Sequence, residues 1–445
     1  CRGAGGRRLR TLCGSFDGLM MSTALDVSRL RKDFPILERT VRGGRALVYL
    51  DSAATSQKPY AVLDAERAFY ETSNAAVHRG AHQLAEEATD AYESARAAIA
   101  GFVGARAEDI VFTKNATESL NLAAYAFSNA TAKAAQGGVV DPRLVLTPES
   151  SVVVTEMEHH ANLIPWQELC AKTGAQLRWI GLTEDGRLDM DQLSVIDHTT
   201  AAVSIVHQSN ILGTINPVRS IMDRAREVGA LGIVDACQSI PHMRVNVEDL
   251  GADLLTWSGH KMLGPTGIGL LWGRSDVLNS LPPFLTGGSM IESVTMEGST
   301  FAPAPQRFEA GVPMVAQAVG LEAAVRYLDG VGIEAIEQHE HELTAHALAT
   351  LTQMPGVRVI GPESTVDRGS AISFVVDGLH PHDVGQVLDD RGVAVRVGHH
   401  CAWPTCRRYG VPATTRLSTY LYNDLDDIDA AAAGVRAAQE FFGVV

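Results

Sequence analysis

The chain has 445 residues, 46% hydrophobic and 20% charged, which is more than one simple core holds and suits a large domain joined to a smaller one. Its formal net charge of −15 excludes nucleic acid and anionic membrane surfaces as main partners, because both demand basic patches, and no apolar run is long enough to span a bilayer. The six cysteines are spread too thinly over this length for a secreted disulfide scaffold, and they point to a reducing, cytoplasmic home.

Residues 1–22 carry Arg2, Arg7, Arg8 and Arg10 among glycines with no apolar stretch behind them. They read as a disordered N-terminal extension rather than a secretory signal, and 23–47 as a segment packing on the smaller domain. From Val48 onward, short apolar runs end in polar residues and give way to helical periodicity. Ile110-Val111-Phe112 precedes a helix carrying Leu120, Leu122 and Ala123, with Thr113 or Asn115 as its cap. The free amides of that helix and the Thr117 hydroxyl suit a phosphate. Ser151 to Thr155 runs into Glu158-His159-His160, Ala202 to Val206 into the stretch His207 to Asn210, and Gly232-Ile233-Val234 into Asp235, with a helix expected over Ile221 to Ala230. Continuous apolar strands alternating with helices predict an α/β fold, a mainly parallel sheet sandwiched by helices. Its ligand site is expected beyond the carboxyl ends of the strands. Residues 48–312 form this large domain. Helical periodicity then spans Val315 to Leu351, followed by strand-like runs at Ala371 to Val376 and Gly392 to Val397. These give 313–445 the character of a second, smaller α+β domain.

Four residues stand out within this frame. Lys261 ends the apolar run Leu254-Leu255-Thr256-Trp257 and opens a Gly-rich turn, where partial burial would make its amine a Schiff-base nucleophile. The neighbouring Ser258 and His260 suit an anion. Asp235 projects from a buried strand end and needs a cationic partner. The ring of His159 can stack on a flat ligand, or simply fill a structural place. Cys401 follows Gly398-His399-His400, a poor core segment, so a partly exposed thiol is expected there. Metal binding by His399, His400, Cys401 and Cys406 fits no common zinc spacing.

The segments Tyr49-Leu50-Asp51-Ser52-Ala53-Ala54-Thr55, Val77-His78-Arg79-Gly80, Glu158-His159-His160-Ala161-Asn162, Val234-Asp235-Ala236-Cys237-Gln238, Ser258-Gly259-His260-Lys261, Arg307-Phe308-Glu309-Ala310-Gly311 and Arg396-Val397-Gly398-His399-His400-Cys401 occur in this order from about Phe34 to Phe442. Together they resemble the pyridoxal-phosphate enzymes of aminotransferase class V, and specifically the SUF-type (group II) cysteine desulfurases. The resemblance implies the type I pyridoxal-phosphate transferase fold, with Lys261 forming the Schiff base to pyridoxal 5'-phosphate. Asp235 would pair with the pyridine nitrogen. His159 would stack on the ring and assist proton transfer, Gln238 would bond the ring hydroxyl, and Asn210 would orient cofactor or substrate. Thr117, the backbone around Ala116, Ser258 and His260 would hold the phosphate. Arg416 would clamp the substrate carboxylate, with Arg396 as a second candidate. Cys401, on the small C-terminal domain, would take the sulfur of L-cysteine as a persulfide, leaving alanine. A SUF-system acceptor protein of E-type or U-type would then carry that sulfur toward iron-sulfur cluster assembly, and the enzyme would be a homodimer. Selenocysteine lyase or cysteine-sulfinate desulfinase activity is the alternative within the same family. Two positions depart from the family pattern: Val312 stands where a threonine usually reaches the partner subunit's phosphate, and Ala116-Thr117 replaces a threonine pair. Weaker cofactor retention is the expected consequence.

Overall fold

The computed structural model describes residues 25–444, so the expected 1–22 extension lies outside the described residues. Seven strands build the larger sheet: β1 (Ile110–Thr113), β2 (Ser151–Thr155), β3 (Gln176–Ile180), β4 (Thr200–Val206), β5 (Leu231–Asp235), β6 (Leu254–Ser258) and β7 (Gly269–Gly273). Their order is β1-β7-β6-β5-β4-β2-β3. Neighbours from β6 through β3 are parallel, as the apolar runs predict. Register explains why these strands need no polar face: Val152 aligns with Ala202 on one side of the sheet and Val153 with Val203 on the other. Each side has its own buried cluster, Val152, Val154 and Ile233 in one, Val153, Val203 and Val234 in the other.

β7 is the exception, antiparallel to both β6 and β1. The stretch 259–268 between β6 and β7 is too short for the crossover that a parallel return requires, so the chain doubles back. Lys261 sits in that tight reversal. Gly269 at the start of β7 makes room for the next element, since a Cβ there would lie 2.3 Å from the Asn115 Cα. That contact lets the N-terminus of α1 (Ala116–Ala135) abut the end of β6. Of the two expected caps Asn115 is the one used, its side chain accepting from the Glu118 N–H at 2.9 Å.

Three expected elements shift. The helix placed at Ile221 to Ala230 is α2, Val218–Glu227. The periodicity of 315–351 is interrupted at Gly332, whose φ of +95° separates α3 (Val315–Val331) from α4 (Ile333–Thr352). The strand expected over Gly392 to Val397 divides in two: Val393–Ala394 pairs in parallel with Val48–Tyr49, whereas β10 (Arg396–Gly398) joins a different sheet. That second sheet contains β8 (Val357–Ile360), β9 (Ala371–Val376), β10 and β11 (Thr414–Ser418) in the antiparallel order β8-β9-β11-β10. Helix α4, α5 (Pro381–Asp390) and α7 (Leu425–Phe442) flank it, and Leu348, Ile372, Phe374, Leu388, Leu417 and Val435 fill its core. The short helix α6 (Trp403–Arg408) leads from β10 toward β11. Segment 48–52 runs between the two sheets, the Ser418 N–H donating to the Leu50 carbonyl at 2.8 Å. Among the described residues, no helix is long and apolar enough to cross a membrane.

Candidate active site

Asp235 ends β5 and Ser258 ends β6, while His159 follows β2 and Asn210 follows β4, so four strands deliver polar side chains to one edge of the sheet. There they meet the first turn of α1 and the loop after β10. A cavity of about 220 Å³ results, and all the residues singled out in the sequence line it: Lys261, Asp235, His159, Gln238, Ala116, Thr117, Ser258, His260, Asn210, Arg396, Arg416 and Cys401.

The cationic partner expected for Asp235 does not come from the described residues. Its carboxylate is 3% exposed and accepts from the Cys237 N–H at 2.9 Å, and among the described residues no Lys, Arg or His nitrogen lies within 4.0 Å of it. A buried carboxylate that faces a cavity in this way is suited to a cationic ligand atom. The His159 Nδ1 accepts from the Ala161 N–H at 3.0 Å. Burial, reinforced by the charge of Lys261, pushes this histidine down to about 3, so the ring that lines the cavity is neutral.

Glu158, which the sequence offered only as part of a motif, anchors His159. It is 1% exposed and accepts from the Thr155 hydroxyl at 2.7 Å, the Val206 N–H at 2.9 Å and the Asn162 side chain at 2.6 Å. Burial nevertheless pushes it up to about 8. No periodicity signals such a role, because its partners lie on β2, β4 and the turn between.

The helix N-terminus reaches β6 through the Ala116 N–H, which donates to the Ser258 hydroxyl at 2.9 Å. His260 bonds the Thr55 hydroxyl at 3.1 Å through its Nδ1, and burial pushes it down to about 4. Gln238 donates to the Ala53 carbonyl at 2.7 Å. Arg416, on β11, is 2% exposed and donates to the Asn210 carbonyl at 2.8 Å and to Asp51 at 3.2 Å. Its Nε has no partner among the described residues. Arg396 approaches the other Asp51 oxygen at 3.6 Å. Asp51 was absent from the sequence-derived site although it sits in a quoted motif.

Cys401 is held by strained backbone. His400 and Cys401 have φ of +50° and +56°, in the left-handed region that side-chain-bearing residues seldom enter. The Asn210 side chain donates to the His400 carbonyl at 2.7 Å, and the His160 N–H donates to the Cys401 carbonyl at 2.6 Å. The His399 ring stacks on Trp403 with centroids 5.0 Å apart. Of the four cysteines in the described residues, Cys401 alone is partly exposed; Cys170, Cys237 and Cys406 are buried. Burial pushes Cys406 up to about 11, which leaves it an inert thiol. Val312 is 80% exposed and lines a separate cavity with Phe284 and Glu309, away from Lys261.

An unpaired buried carboxylate, a neutral ring, a helix N-terminus and a lysine in a tight turn form a donor set that fits pyridoxal phosphate. The family model of aminotransferase class-V matches residues 48–431, and a protein named probable cysteine desulfurase 2 from Mycobacterium leprae is 58% identical over 421 residues, 95% of this chain and 98% of its own. The chain belongs to the cysteine desulfurases of aminotransferase class V. A cysteine desulfurase of Haloferax volcanii is 46% identical over 95% of this chain and 99% of its own. Among solved structures, an apo cysteine desulfurase from Thermococcus onnurineus superposes with a TM-score of 0.85 at 37% identity, covering 94% of this chain and 99% of that one. An S-sulfonic acid form of an Escherichia coli cysteine desulfurase gives 0.83 at 33% identity over 94% of this chain and 100% of its own. The fold is therefore that of the type I pyridoxal-phosphate enzymes, and the cofactor of this desulfurase is pyridoxal 5'-phosphate.

Proposed function

We propose that this desulfurase takes the sulfur of L-cysteine onto Cys401, releases L-alanine, and passes the persulfide sulfur to an acceptor protein for iron-sulfur cluster assembly. The observation that carries this reading is Cys401 itself, the one partly exposed thiol among the described residues, on the same cavity as Lys261 and Arg416.

Lys261 would hold the cofactor, Asp235 its pyridine nitrogen, and Thr117, Ser258, His260 and the amides around Ala116 its phosphate. Gln238 would bond the ring hydroxyl. When bound, pyridoxal phosphate supplies an electron sink that loosens bonds at the substrate's α and β carbons. Arg416, with free donor capacity at Nε, would grip the substrate carboxylate, assisted by Arg396 and oriented by Asn210. The Cys401 thiolate attacks the substrate sulfur; an S–S bond forms as the C–S bond breaks, and the electron pair left on carbon is quenched by a proton to give alanine. His159, neutral through the working range, is able to accept a proton within the cavity.

Cys401 lies two residues before α6 begins at Trp403, on a loop tethered by Asn210 and His160. A thiol so restrained cannot travel far, which supports an acceptor that comes to it, and hence the SUF-type assignment with an E-type or U-type partner. The acceptor, homodimerisation and a cytoplasmic setting belong to the same proposal. Alanine release from L-cysteine tests it: Cys401→Ala abolishes turnover and Cys406→Ala retains it, whereas equal activity in both variants overturns the reading.

A further inference from the structure

Lys58 is a partly buried cation with no acidic partner among the described residues. Its ammonium donates to the Ser56 carbonyl at 2.5 Å and the His260 carbonyl at 2.9 Å, and lies 3.5 Å from the Thr55 hydroxyl. Burial alone pushes it down to about 8, with no carboxylate nearby to oppose that shift. A charge left in such a place is costly unless its position serves a purpose. Its location is specific: the His260 carbonyl belongs to the peptide from which Lys261 departs. The same carbonyl accepts from the Ser56 N–H at 3.1 Å and from the Thr55 and Ser56 hydroxyls, each at 3.1 Å. The Ser56 hydroxyl also accepts from the Leu263 N–H at 2.8 Å. Segment 55–58 thus grips the lysine turn across some 200 residues of sequence, and Tyr49 and Tyr422 hold the segment in place through the Thr55 carbonyl and the Gln57 N–H.

We infer that Lys58 is a positioning residue for Lys261, fixing the turn that presents its amine and placing a positive charge against the His260 carbonyl of that turn. The inference rests on the proposed role of Lys261 as cofactor lysine. Asp235, Cys237, His159, His260, Arg396, His400, Cys401 and Arg416 line the same cavity, and His260 also feels the Lys58 charge, which adds to burial and to Lys261 in holding it down to about 4. Removing the Lys58 charge favours the protonated form of the Lys261 nitrogen and so raises its midpoint.

The test is a pH titration of the visible absorbance of the bound cofactor in the holoenzyme. For Lys58→Met the midpoint rises by about half a pH unit or more, while Lys58→Arg stays near wild type. Lys58→Gln, which keeps a donor for the His260 carbonyl, shows the same rise. An unchanged midpoint in the neutral variants overturns the inference. A visible band that persists in Lys261→Ala instead overturns the underlying assignment of Lys261, so the two failures are distinguishable.

Discussion

Asp51 accepts from Arg416 at 3.2 Å while its other oxygen faces Arg396 at 3.6 Å, so one carboxylate holds two arginines beside the candidate active-site cavity. Neither arginine has another acid within ion-pairing distance among the described residues. Burial raises Asp51 against the pull of both cations, and the arrangement keeps the Arg416 fork turned while leaving its Nε free. Replacing Asp51 by Asn keeps the shape and removes the charge, leaving Arg416 buried without its counter-ion. The holoenzyme is expected to lose about 3 kcal/mol of stability in urea unfolding and to recover part of it when L-alanine supplies a carboxylate. A variant as stable as wild type, or one indifferent to L-alanine, contradicts this role.

Two buried histidines, His207 and His400, and two half-buried ones, His159 and His260, set a second expectation. Burial pushes His159 down to about 3, His207 and His260 to about 4, and His400 to about 2, all below the value of about 6.5 in an unfolded chain. The unfolded state therefore binds more protons between these limits, and stability rises with pH there and is lost as pH falls below about 6.5. Glu158, raised from 4.5 to about 8, works in the opposite sense between those two values. From these five groups the net is about three protons taken up on unfolding near pH 5. Urea midpoints of the cofactor-free chain at pH 7, 6 and 5 are expected to fall steeply, and a flat profile contradicts the neutral histidines.

Val312 bears on the proposed dimer. It is largely exposed and remote from the Lys261 of its own chain, so its side chain matters to a cofactor only if a second subunit brings its site there. Val312→Thr would add one hydroxyl donor worth about 1 kcal/mol, slowing cofactor dissociation about fivefold. Dissociation equal to wild type would show that this position does not reach a cofactor phosphate.

The legible parts of the sequence were those governed by local pattern. β2, β4 and β5 announced themselves as continuous apolar runs because helices cover both faces of the sheet, and the polar residue at the end of each run marked the cavity. The break at Gly332 was missed because the apolar period continues through it, although its positive φ requires a helix end. β7 was missed because nothing in a single strand states the direction of its neighbours. The roles of Asp51, Glu158 and Lys58 were illegible for another reason: each depends on partners far away in sequence, such as Asp51 with Arg416 at a separation of 365 residues.

The account stands on the chemistry of one thiol. Wild-type holoenzyme given L-cysteine without acceptor, then trapped with a thiol-blocking reagent and fragmented in a mass spectrometer, reports directly which cysteine has gained sulfur. The expected result is one added sulfur atom on Cys401 and none on Cys406, removed again by a thiol acceptor. Alanine release with no sulfur on Cys401, or with the sulfur on Cys406, would contradict the account.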